Sequence, residues 1–247
     1  MRLDLYLFEN GLVSSRTEAK GFIQSGAVTV NGISVTKPAH EVDGTEEIKV
    51  DKSSKKYVSR GGLKLEAALE AFGISCEGKY CIDIGASTGG FTDCLLQNGA
   101  KRVIAVDSGT DQLVPSLRSD SRVVCHEKCN ARYLSVDDLE YRSQLAVMDV
   151  SFISATLIMP AVFECICDGA DFICLVKPQF ELGRSALGKG GIVKDAKLRE
   201  SALTSVVDFA KKIGFDFCGS VISPIKGGDG NTEYLAHFIK NNGERYE

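Results

Sequence analysis

A glycine-rich turn between two short apolar runs constrains the fold of this chain more than any other feature. The run Tyr80–Ile84 leads into the turn Gly85–Gly90, a helix-like segment follows from Phe91 to Asn98, and a second apolar run, Val103–Val106, ends on Asp107. Strand, glycine turn, helix and strand make one βαβ unit, which binds a nucleoside-bearing ligand at the carboxyl ends of its strands. Asp107 follows Gly85 by 22 positions, where a carboxylate accepts hydrogen bonds from ribose hydroxyls.

The spacing of the glycines distinguishes between two kinds of nucleoside ligand. Dinucleotide-binding turns have glycine at their first, third and sixth places, and here those places hold Gly85, Ser87 and Gly90. The glycine that lets the backbone approach a pyrophosphate is therefore missing. An acid, Asp83, lies two residues before the turn and suits a ligand with a positively charged amino-acid end. The turn predicts S-adenosylmethionine as the cofactor; the alternative is a tight turn in another α/β protein.

Each part of that cofactor has candidate residues. Asp83 and the turn are expected to hold the methionine part, and Asp107 the ribose. Asn130 follows the next predicted strand and is the candidate for the adenine edge. The predicted cofactor-binding residues are Asp83, Gly85, Ser87, Thr88, Gly89, Phe91, Asp107 and Asn130.

The first 50 residues have a different pattern, that of a small α+β domain. A short helix that starts near Leu3 is followed by a helix over Arg16–Gln24, and Asn31-Gly32 between β-branched residues is a strong hairpin signal. This segment resembles the S4 RNA-binding domain, which implies a basic edge that contacts structured RNA. The resemblance rests on Arg2-Leu3-Asp4, Ser15-Arg16, Ala19, Ile23, Gly26, Val28, Val30-Asn31-Gly32 and Lys37-Pro38.

The charge balance restricts where RNA can bind. The net charge is −4, and residues 1–60 hold nine Lys and Arg against eight Asp and Glu, so a basic face must be local. The polar segment 51–60 is predicted to be a basic linker; its alternative is a linker with no contact to RNA. Phosphate contacts from such residues position a protein without reading sequence. The predicted RNA-binding residues are Arg2, Arg16, Lys20, Lys37, Lys55, Lys56 and Arg60.

Residues 61–247 alternate between helical and strand patterns. After a helix at Leu63–Phe72 and the βαβ unit, strands are predicted at Val123–Cys125 and Leu145–Val150, a helix at Ala155–Cys167 and a strand at Phe172–Val176. A helix over Leu198–Ile213 and two strands, Phe215–Ile225 and Tyr234–Ile239, follow. This alternation predicts an α/β fold with a parallel, Rossmann-like sheet. The last two strands lack a helix between them and can pair antiparallel.

Charged side chains occupy the ends of several predicted strands. Asp149 ends the fourth strand, Lys177 follows the fifth, and Glu233 begins the last one, while Lys64 lies in the helix before the first strand. Ligands of α/β folds bind at the carboxyl edge of the sheet, so the first three are expected to converge there. Singly, each is equally well explained as a surface charge. The loop Leu182–Val193 is a candidate lid over the substrate or a plain surface connection.

These four residues match the Lys-Asp-Lys-Glu tetrad of FtsJ-type RNA 2′-O-methyltransferases in order and setting. The whole chain, with its S4-like part, resembles the TlyA family, which implies methylation of ribose 2′-hydroxyls in ribosomal RNA or ribosomal subunits. Ser87-Thr88 replaces the Ala-Pro of FtsJ itself. The supporting segments are Ser59–Leu65, Asp83–Thr92, Asp149–Phe152, Lys177–Glu181, Gly190–Val193 and Gly228–Glu233.

The tetrad suits this chemistry. A ribose hydroxyl must lose its proton as it attacks a sulfonium methyl group, and we expect an uncharged Lys177 to accept that proton. Asp149 and Glu233 are expected to orient the lysine amines and the hydroxyl. Methylation of an amine is less consistent with the sequence, because Asp149-Val150-Ser151-Phe152 lacks the proline that is usual for that chemistry. Methylation of cytosine C5 is also less consistent with it, because no Pro-Cys or Thr-Cys occurs.

Two alternative functions follow from the same resemblance. TlyA relatives are often labelled haemolysins, which implies a membrane-active protein, but no apolar run approaches the roughly 18 residues that span a bilayer, and no stable membrane association is expected. The other alternative is an RNA-binding protein with an inactive enzyme domain. Nine scattered cysteines predict reduced thiols in the cytoplasm, and no metal site is expected because Cys125, His126 and Cys129 lack a fourth ligand.

Overall fold

The helices and strands of the computed structural model fall into two units, residues 1–60 and 61–247. The structure describes residues 1–24, 27–51, 56–183, 186–227 and 230–241. Of the four basic residues of the predicted linker 51–60, Lys52 and Lys55 lie outside the described residues, and Lys56 and Arg60 lie within them. The predicted domain limits of 1–50 and 61–247 stay predictions.

The first unit packs two helices on a small antiparallel sheet. The helices are α1 (Leu3–Glu9) and α2 (Arg16–Gln24), and the strands are β1 (Val28–Val30), β2 (Ile33–Ser34) and β3 (Ile48–Val50), in the order β2-β1-β3. The predicted hairpin is present: Val30 pairs with Ile33, and Asn31 and Gly32 form the turn with φ of 50° and 78°. The sequence did not predict β3, because its three residues stand alone among polar and acidic ones.

The second unit is a seven-stranded sheet with helices between its strands. Its strands are β4 (Tyr80–Ile84), β5 (Arg102–Val106), β6 (Val123–His126), β7 (Ser143–Met148), β8 (Ile166–Val176), β9 (Phe215–Ile222) and β10 (Tyr234–Lys240). Its helices are α3 (Gly61–Phe72), α4 (Gly90–Gln97), α5 (Pro115–Arg118), α6 (Met159–Cys165), α7 (Pro178–Glu181) and α8 (Ala196–Ile213).

The strand order places the ends of the central strands at one edge. The order is β6-β5-β4-β7-β8-β10-β9, with β10 antiparallel to both of its neighbours and the other pairs parallel. The predicted Rossmann-like fold and the antiparallel last pair are confirmed. From β4 the chain first continues outwards to β5 and β6 and then returns to β7 on the other side of β4. This switch point, between β4 and β7, is where open α/β sheets bind ligands.

The segment between β7 and β8 differs from its prediction. Instead of one helix over Ala155–Cys167, a 3-10 turn at Ala155–Leu157 precedes α6, and β8 already begins at Ile166. The register between β7 and β8 shifts after Ser143, and Gly169 has a φ of 72°. A bulge of this kind bends the strand, and the Asp168-Gly169 pair that marks it is also typical of a turn between elements.

Two general properties of the described residues bear on the predicted class. None of the helices that the structure describes is long and apolar enough to cross a membrane. All nine cysteines lie in described segments and are free thiols.

Candidate active site

Three of the four tetrad residues lie at the carboxyl edge of the sheet. Asp149 directly follows β7, Lys177 directly follows β8 and Glu233 directly precedes β10. Because Tyr234 of β10 pairs with Val176 of β8, Glu233 and Lys177 are the next residues of two neighbouring antiparallel strands. The predicted convergence of strand ends is therefore present in the structure.

The tetrad is organised as two lysine–acid pairs. The Nζ of Lys177 lies 2.6 Å from Oδ1 of Asp149, and the Nζ of Lys64, from α3, lies 2.6 Å from Oε2 of Glu233. Lys64, Lys177 and Glu233 are all less than one-tenth exposed. Buried charges are tolerated when they are paired, and removing one partner leaves the other uncompensated. The sequence predicted the four residues but not which lysine pairs with which acid.

Lys177 has further neighbours that the sequence analysis missed. Its ammonium group donates a hydrogen bond to Oγ of Ser151 at 2.8 Å and lies 6.0 Å from the centroid of the Phe180 ring. The segment Asp149-Val150-Ser151-Phe152 carries this hydroxyl, but its sequence pattern does not assign the serine to the site. The position of Ser151, two residues after the strand-end acid, was the only available signal.

The glycine turn lies against the backbone of the tetrad. Gly85 has a φ of 84°, and a Cβ atom at this position would lie 2.4 Å from the carbonyl oxygen of Asp149. The amide of Asp149 in turn donates to the carbonyl of Ile84 at 2.9 Å. Only glycine fits such a close approach. A ligand held by the turn is therefore next to the lysine–acid pair of Lys177 and Asp149.

Asp83 fits the positively charged end of the predicted cofactor. Its side chain is fully buried on β4, and its Oδ2 accepts a hydrogen bond from Oγ1 of Thr92 at 2.7 Å. Its Oδ1 has no hydrogen-bond partner among the described residues. Burial raises the pKa of Asp83 to about 7, and the negative charges of Asp149 and Asp107 add to this. A buried acceptor of this kind needs a donor from a water, an ion or a ligand, and a ligand ammonium group is one such donor.

Asp107 follows β5 and connects the glycine turn to the loop after β5, at the predicted ribose position. Its Oδ2 accepts from the amide of Ser87 at 2.8 Å, and its Oδ1 accepts from the amide of Gly109 at 2.7 Å. A carboxylate has about four lone-pair sites, so these two bonds orient it and still allow it to accept from ribose hydroxyls. Its assignment to the ribose stays a prediction.

The remaining predicted cofactor residues have various roles in the structure. Gly89 precedes α4 with a φ of 99°, the carbonyl of Thr88 accepts from the amide of Val114, and the Phe91 side chain is buried. The side-chain oxygen of Asn130 accepts from the amide of Arg132 at 3.1 Å. This bond caps a 3-10 turn, a role that the sequence did not predict, and the adenine contact of Asn130 stays a prediction.

A carboxylate on α7 holds the loop after β7. Glu181 accepts from Oγ of Ser154 at 2.5 Å and from the amide of Ala155 at 2.8 Å. Burial raises the pKa of Glu181. The loop that carries Asp149 and Ser151 is therefore fixed to the segment that carries Lys177.

One large aromatic side chain beside the tetrad is exposed to solvent. Phe152 is 90% exposed and has a φ of 64°, a left-handed conformation that is unusual for an aromatic residue. Its ring centroid lies 5.2 Å from that of Phe180. Outliers of this kind cluster at functional sites. The sequence pattern does not predict an exposed ring at Phe152, because a phenylalanine after a strand is more often part of the core.

The glycine-rich loop 182–193 is fixed at its end. Buried Asn231 accepts from the amide of Val193 at 2.9 Å and donates to the carbonyl of Gly191 at 3.0 Å. Arg184 and Ser185 of this loop lie outside the described residues. Because Asn231 is two residues before Glu233, this loop is connected to the start of β10.

The predicted RNA-binding residues of the first unit are largely exposed. Lys20, Lys37 and Lys56 are exposed, and Lys55 lies outside the described residues. Arg2 and Arg16 both donate to the buried carboxylate of Asp4, at 2.9 and 3.0 Å. Arg60 is half-buried. RNA binding by these residues stays a prediction.

The fold and the site together define an α/β methyltransferase. A solved structure from Listeria monocytogenes, described as an S-adenosylmethionine dependent methyltransferase, has the same fold: the TM-score is 0.54 at 16% identity, over 73% of this chain and 99% of that one. Residues 57–240 match the FtsJ-like methyltransferase family, and residues 1–48 match the S4 domain. The chain belongs to the FtsJ-like methyltransferase family.

Similar proteins extend over nearly the whole chain, which confirms the predicted resemblance. Hemolysin A of Brachyspira hyodysenteriae is 48% identical over 97% of this chain and 100% of its own length. The 16S/23S rRNA (cytidine-2′-O)-methyltransferase TlyA of Mycobacterium tuberculosis is 44% identical over 95% of this chain and 88% of its own. A solved structure from Streptococcus thermophilus, described as a hemolysin, has a TM-score of 0.79 at 47% identity and covers 98% of this chain and 89% of that one.

Proposed function

We propose that this protein transfers a methyl group from S-adenosylmethionine to a ribose 2′-hydroxyl of ribosomal RNA. The observation that carries the proposal is the pairing of Lys177 with Asp149, whose backbone lies directly against the glycine turn. The name of the Mycobacterium tuberculosis relative states this reaction for that protein. The two lysine–acid pairs, in which both lysines are buried, support an intact enzyme over an RNA-binding protein with an inactive domain.

The chain offers a matching set of residues for the cofactor. Asp83 is proposed to accept from the amino end, the turn Gly85–Gly89 to follow the methionine part, and Asp107 to accept from the ribose. S-adenosylmethionine, when bound, supplies the methyl group on a sulfonium, which leaves as a neutral thioether once the ribose oxygen has taken the methyl group. The unpartnered Oδ1 of Asp83 supports this arrangement.

Lys177 is proposed to be the general base. Its uncharged amine takes the hydroxyl proton while the electron pair of the O–H bond stays on the attacking oxygen. The carboxylate of Asp149 is proposed to orient the amine. Its negative charge also stabilises the ammonium form and compensates the positive charge of the proton that Lys177 gains. The Lys64–Glu233 pair borders the same edge and is proposed to orient the ribose. Proton transfer of this kind contributes roughly 10²–10⁴-fold to a rate.

RNA is proposed to be held by the S4 unit and by the exposed aromatic ring beside the tetrad. S4-unit lysines and arginines contact phosphates, which position a substrate without reading its bases. Unpaired RNA bases stack on exposed aromatic rings, and Phe152 offers such a ring. Ribosomal RNA or a ribosomal subunit is the proposed partner, and the cytoplasm, which contains ribosomes, the proposed location.

The test is methyl transfer from labelled S-adenosylmethionine to ribosomal RNA, with the modified nucleotide mapped. We expect a ribose-methylated product from the wild type and a loss of about 10²-fold or more in Lys177→Met. Lys79→Met is the matched control, because Lys79 also forms a lysine–acid pair, with Asp171 at 2.9 Å, but lies before β4 at the opposite edge of the sheet. This control should retain its transfer rate.

Two outcomes would contradict the proposal. A methylated base in place of a methylated ribose would exclude the assigned chemistry. Full activity in Lys177→Met would exclude the assigned base.

A further inference from the structure

We propose that Ser151 is a positioning residue that directs the lone pair of Lys177 towards the ribose hydroxyl. The inference rests on the proposed function, since it concerns the base of that reaction. It adds a residue outside the Lys-Asp-Lys-Glu tetrad, carried by the same loop as Asp149. The observation behind it is the hydrogen bond from Nζ of Lys177 to Oγ of Ser151, at 2.8 Å.

The directions around the lysine nitrogen give Ser151 its role. An ammonium group has three N–H donors in fixed tetrahedral directions. The hydroxyl of Ser151 accepts along one of these directions at 2.8 Å, and Oδ1 of Asp149, in ion-pair contact at 2.6 Å without a hydrogen bond, fills the space on a second side of the nitrogen. A single direction is then available to a substrate. When Lys177 is uncharged, one N–H group stays on Ser151, the other faces the carboxylate of Asp149, and the lone pair occupies the third direction.

Without the serine oxygen, the amine has a competing arrangement. One N–H group still faces Asp149, but the other no longer has Ser151 as its acceptor and can turn towards the ribose oxygen and donate to it, so the lone pair points away. In that arrangement the hydroxyl keeps its proton. With Ser151 in place, the O–H bond breaks, the proton binds to the lone pair of Nζ, and the electron pair stays on the ribose oxygen. The serine thus acts on orientation and leaves the atoms of the reaction unchanged.

The backbone fixes the segment that carries Ser151 on both sides. On one side the amide of Asp149 donates to the carbonyl of Ile84 at 2.9 Å. On the other side Ser154 and Ala155 donate to Glu181. Ser151 itself is exposed, so its hydroxyl contributes little to the buried core. Its loss is therefore expected to change the rate and leave folding intact.

The experiment compares Ser151→Ala, Ser151→Thr and Lys177→Met in the full chain, with the exposed Ser201 of α8, changed to alanine, as a matched control. Kinetics on a ribosomal RNA substrate, cofactor affinity by calorimetry and the thermal unfolding midpoint are measured. We expect kcat of Ser151→Ala to fall about tenfold, as for the loss of one charge-assisted hydrogen bond. Its KM, cofactor affinity and unfolding midpoint should match those of Ser201→Ala.

Two further results are expected if the serine acts through the lysine. Threonine keeps the hydroxyl, so Ser151→Thr should recover most of the rate. In the Lys177→Met background, Ser151→Ala should add no further loss, because no lone pair remains to be directed. If Ser151→Ala has the wild-type kcat while Lys177→Met is inactive, this inference is overturned and the proposed function is not. A threonine variant as slow as the alanine variant would have the same meaning. A lowered midpoint with weakened cofactor binding would show a structural role instead, and an active Lys177→Met would overturn the proposed function as well.

Discussion

The negative charge of Asp83 is unfavourable in the free protein, because its carboxyl group is fully buried. Burial, together with the charges of Asp149 and Asp107, raises its pKa to about 7 in the free protein. In the unfolded chain an aspartate has a pKa of about 3.9. The protonated form therefore contributes stability that is complete below about pH 4 and is lost as the pH rises through about 7. A cationic ligand would favour the ionised form and lower this pKa.

This shift predicts how cofactor binding depends on pH. Binding of a cation beside Asp83 releases a proton wherever the free protein is protonated and the complex is ionised. We therefore expect the affinity for S-adenosylmethionine to rise about tenfold per pH unit below the pKa of about 7 and to level off above it. Calorimetry between pH 5.5 and 8, in buffers of different ionisation enthalpy, measures both affinity and the protons released.

The matched variant for this prediction is Asp83→Asn, which keeps the shape and removes the titration. Its cofactor affinity should be weak, and any remaining pH dependence belongs to the cofactor's own amino group, since α-amino groups titrate at about pH 8. The ratio of wild-type to variant affinity isolates Asp83. A ratio that is constant from pH 5.5 to 8 would show that Asp83 does not exchange a proton on binding.

At the scale of elements, the glycine turn after β4 and the end of β7 are in direct backbone contact. This contact predicts that Gly85→Ala abolishes cofactor binding and transfer, because the new Cβ would lie 2.4 Å from the carbonyl oxygen of Asp149. The turn and the tetrad must then separate. Gly73→Ala is the matched control: Gly73 also has a positive φ, of 65°, but nothing lies within 4 Å of its added Cβ.

The two glycine variants separate backbone strain from steric overlap. Gly73→Ala should lose only the roughly 1–2 kcal/mol that a left-handed conformation costs a residue with a side chain. Gly85→Ala has that strain plus the overlap, so its free energy of unfolding should fall further and its calorimetric binding of S-adenosylmethionine should disappear. Equal stability losses with intact binding in both variants would mean that the turn tolerates a side chain at position 85.

Most elements could be predicted from the sequence because their patterns are local. Asn31-Gly32 determines the hairpin of the first unit, and the alternation of strand and helix determines the Rossmann-like sheet. The start of β8 at Ile166 was not predictable in this way, since its bulge at Gly169 is stabilised by pairing with β7, which is distant in sequence. The three residues of β3 depend likewise on their pairing with β1.

The site also combines features that follow from local sequence patterns with features that depend on long-range packing. Strand ends were sufficient to predict Asp149 and Lys177, because parallel strands bring their carboxyl ends to one edge. Glu233 reaches the same edge because it precedes β10, which runs antiparallel to β8. The pairing of Lys64 with Glu233, 169 positions apart, depends on where α3 packs, and no local pattern contains that information. Ser151 and Glu181 act through single hydrogen bonds to neighbouring loops, and residue type alone does not distinguish them from ordinary surface residues.

At the scale of the whole molecule, the first unit has little net charge, so its positive groups must be well placed to bind RNA. Arg2 and Arg16 share the carboxylate of Asp4 and hold its pKa down at about 2, with the hydrogen bond from Arg2 as the largest cause. A guanidinium has five N–H groups, more than Asp4 takes up. Substituting either arginine would also disturb this buried acid, so the arginines are poor probes of phosphate binding.

Lys20 and Lys37 are better probes, because both are exposed. We expect the double variant Lys20→Gln, Lys37→Gln to bind a ribosomal RNA fragment more weakly, and the slope of log K against log salt concentration to become shallower by about 1.5, since each phosphate contact contributes roughly 0.7–0.9. Fluorescence anisotropy across a salt series measures this, and cofactor affinity and kcat at saturating RNA should be unchanged. The matched control removes Lys211 and Lys212, exposed lysines in the last turn of α8, at the edge opposite the tetrad. An unchanged salt slope in the first double variant would mean that this unit holds its RNA without phosphate contacts from these lysines.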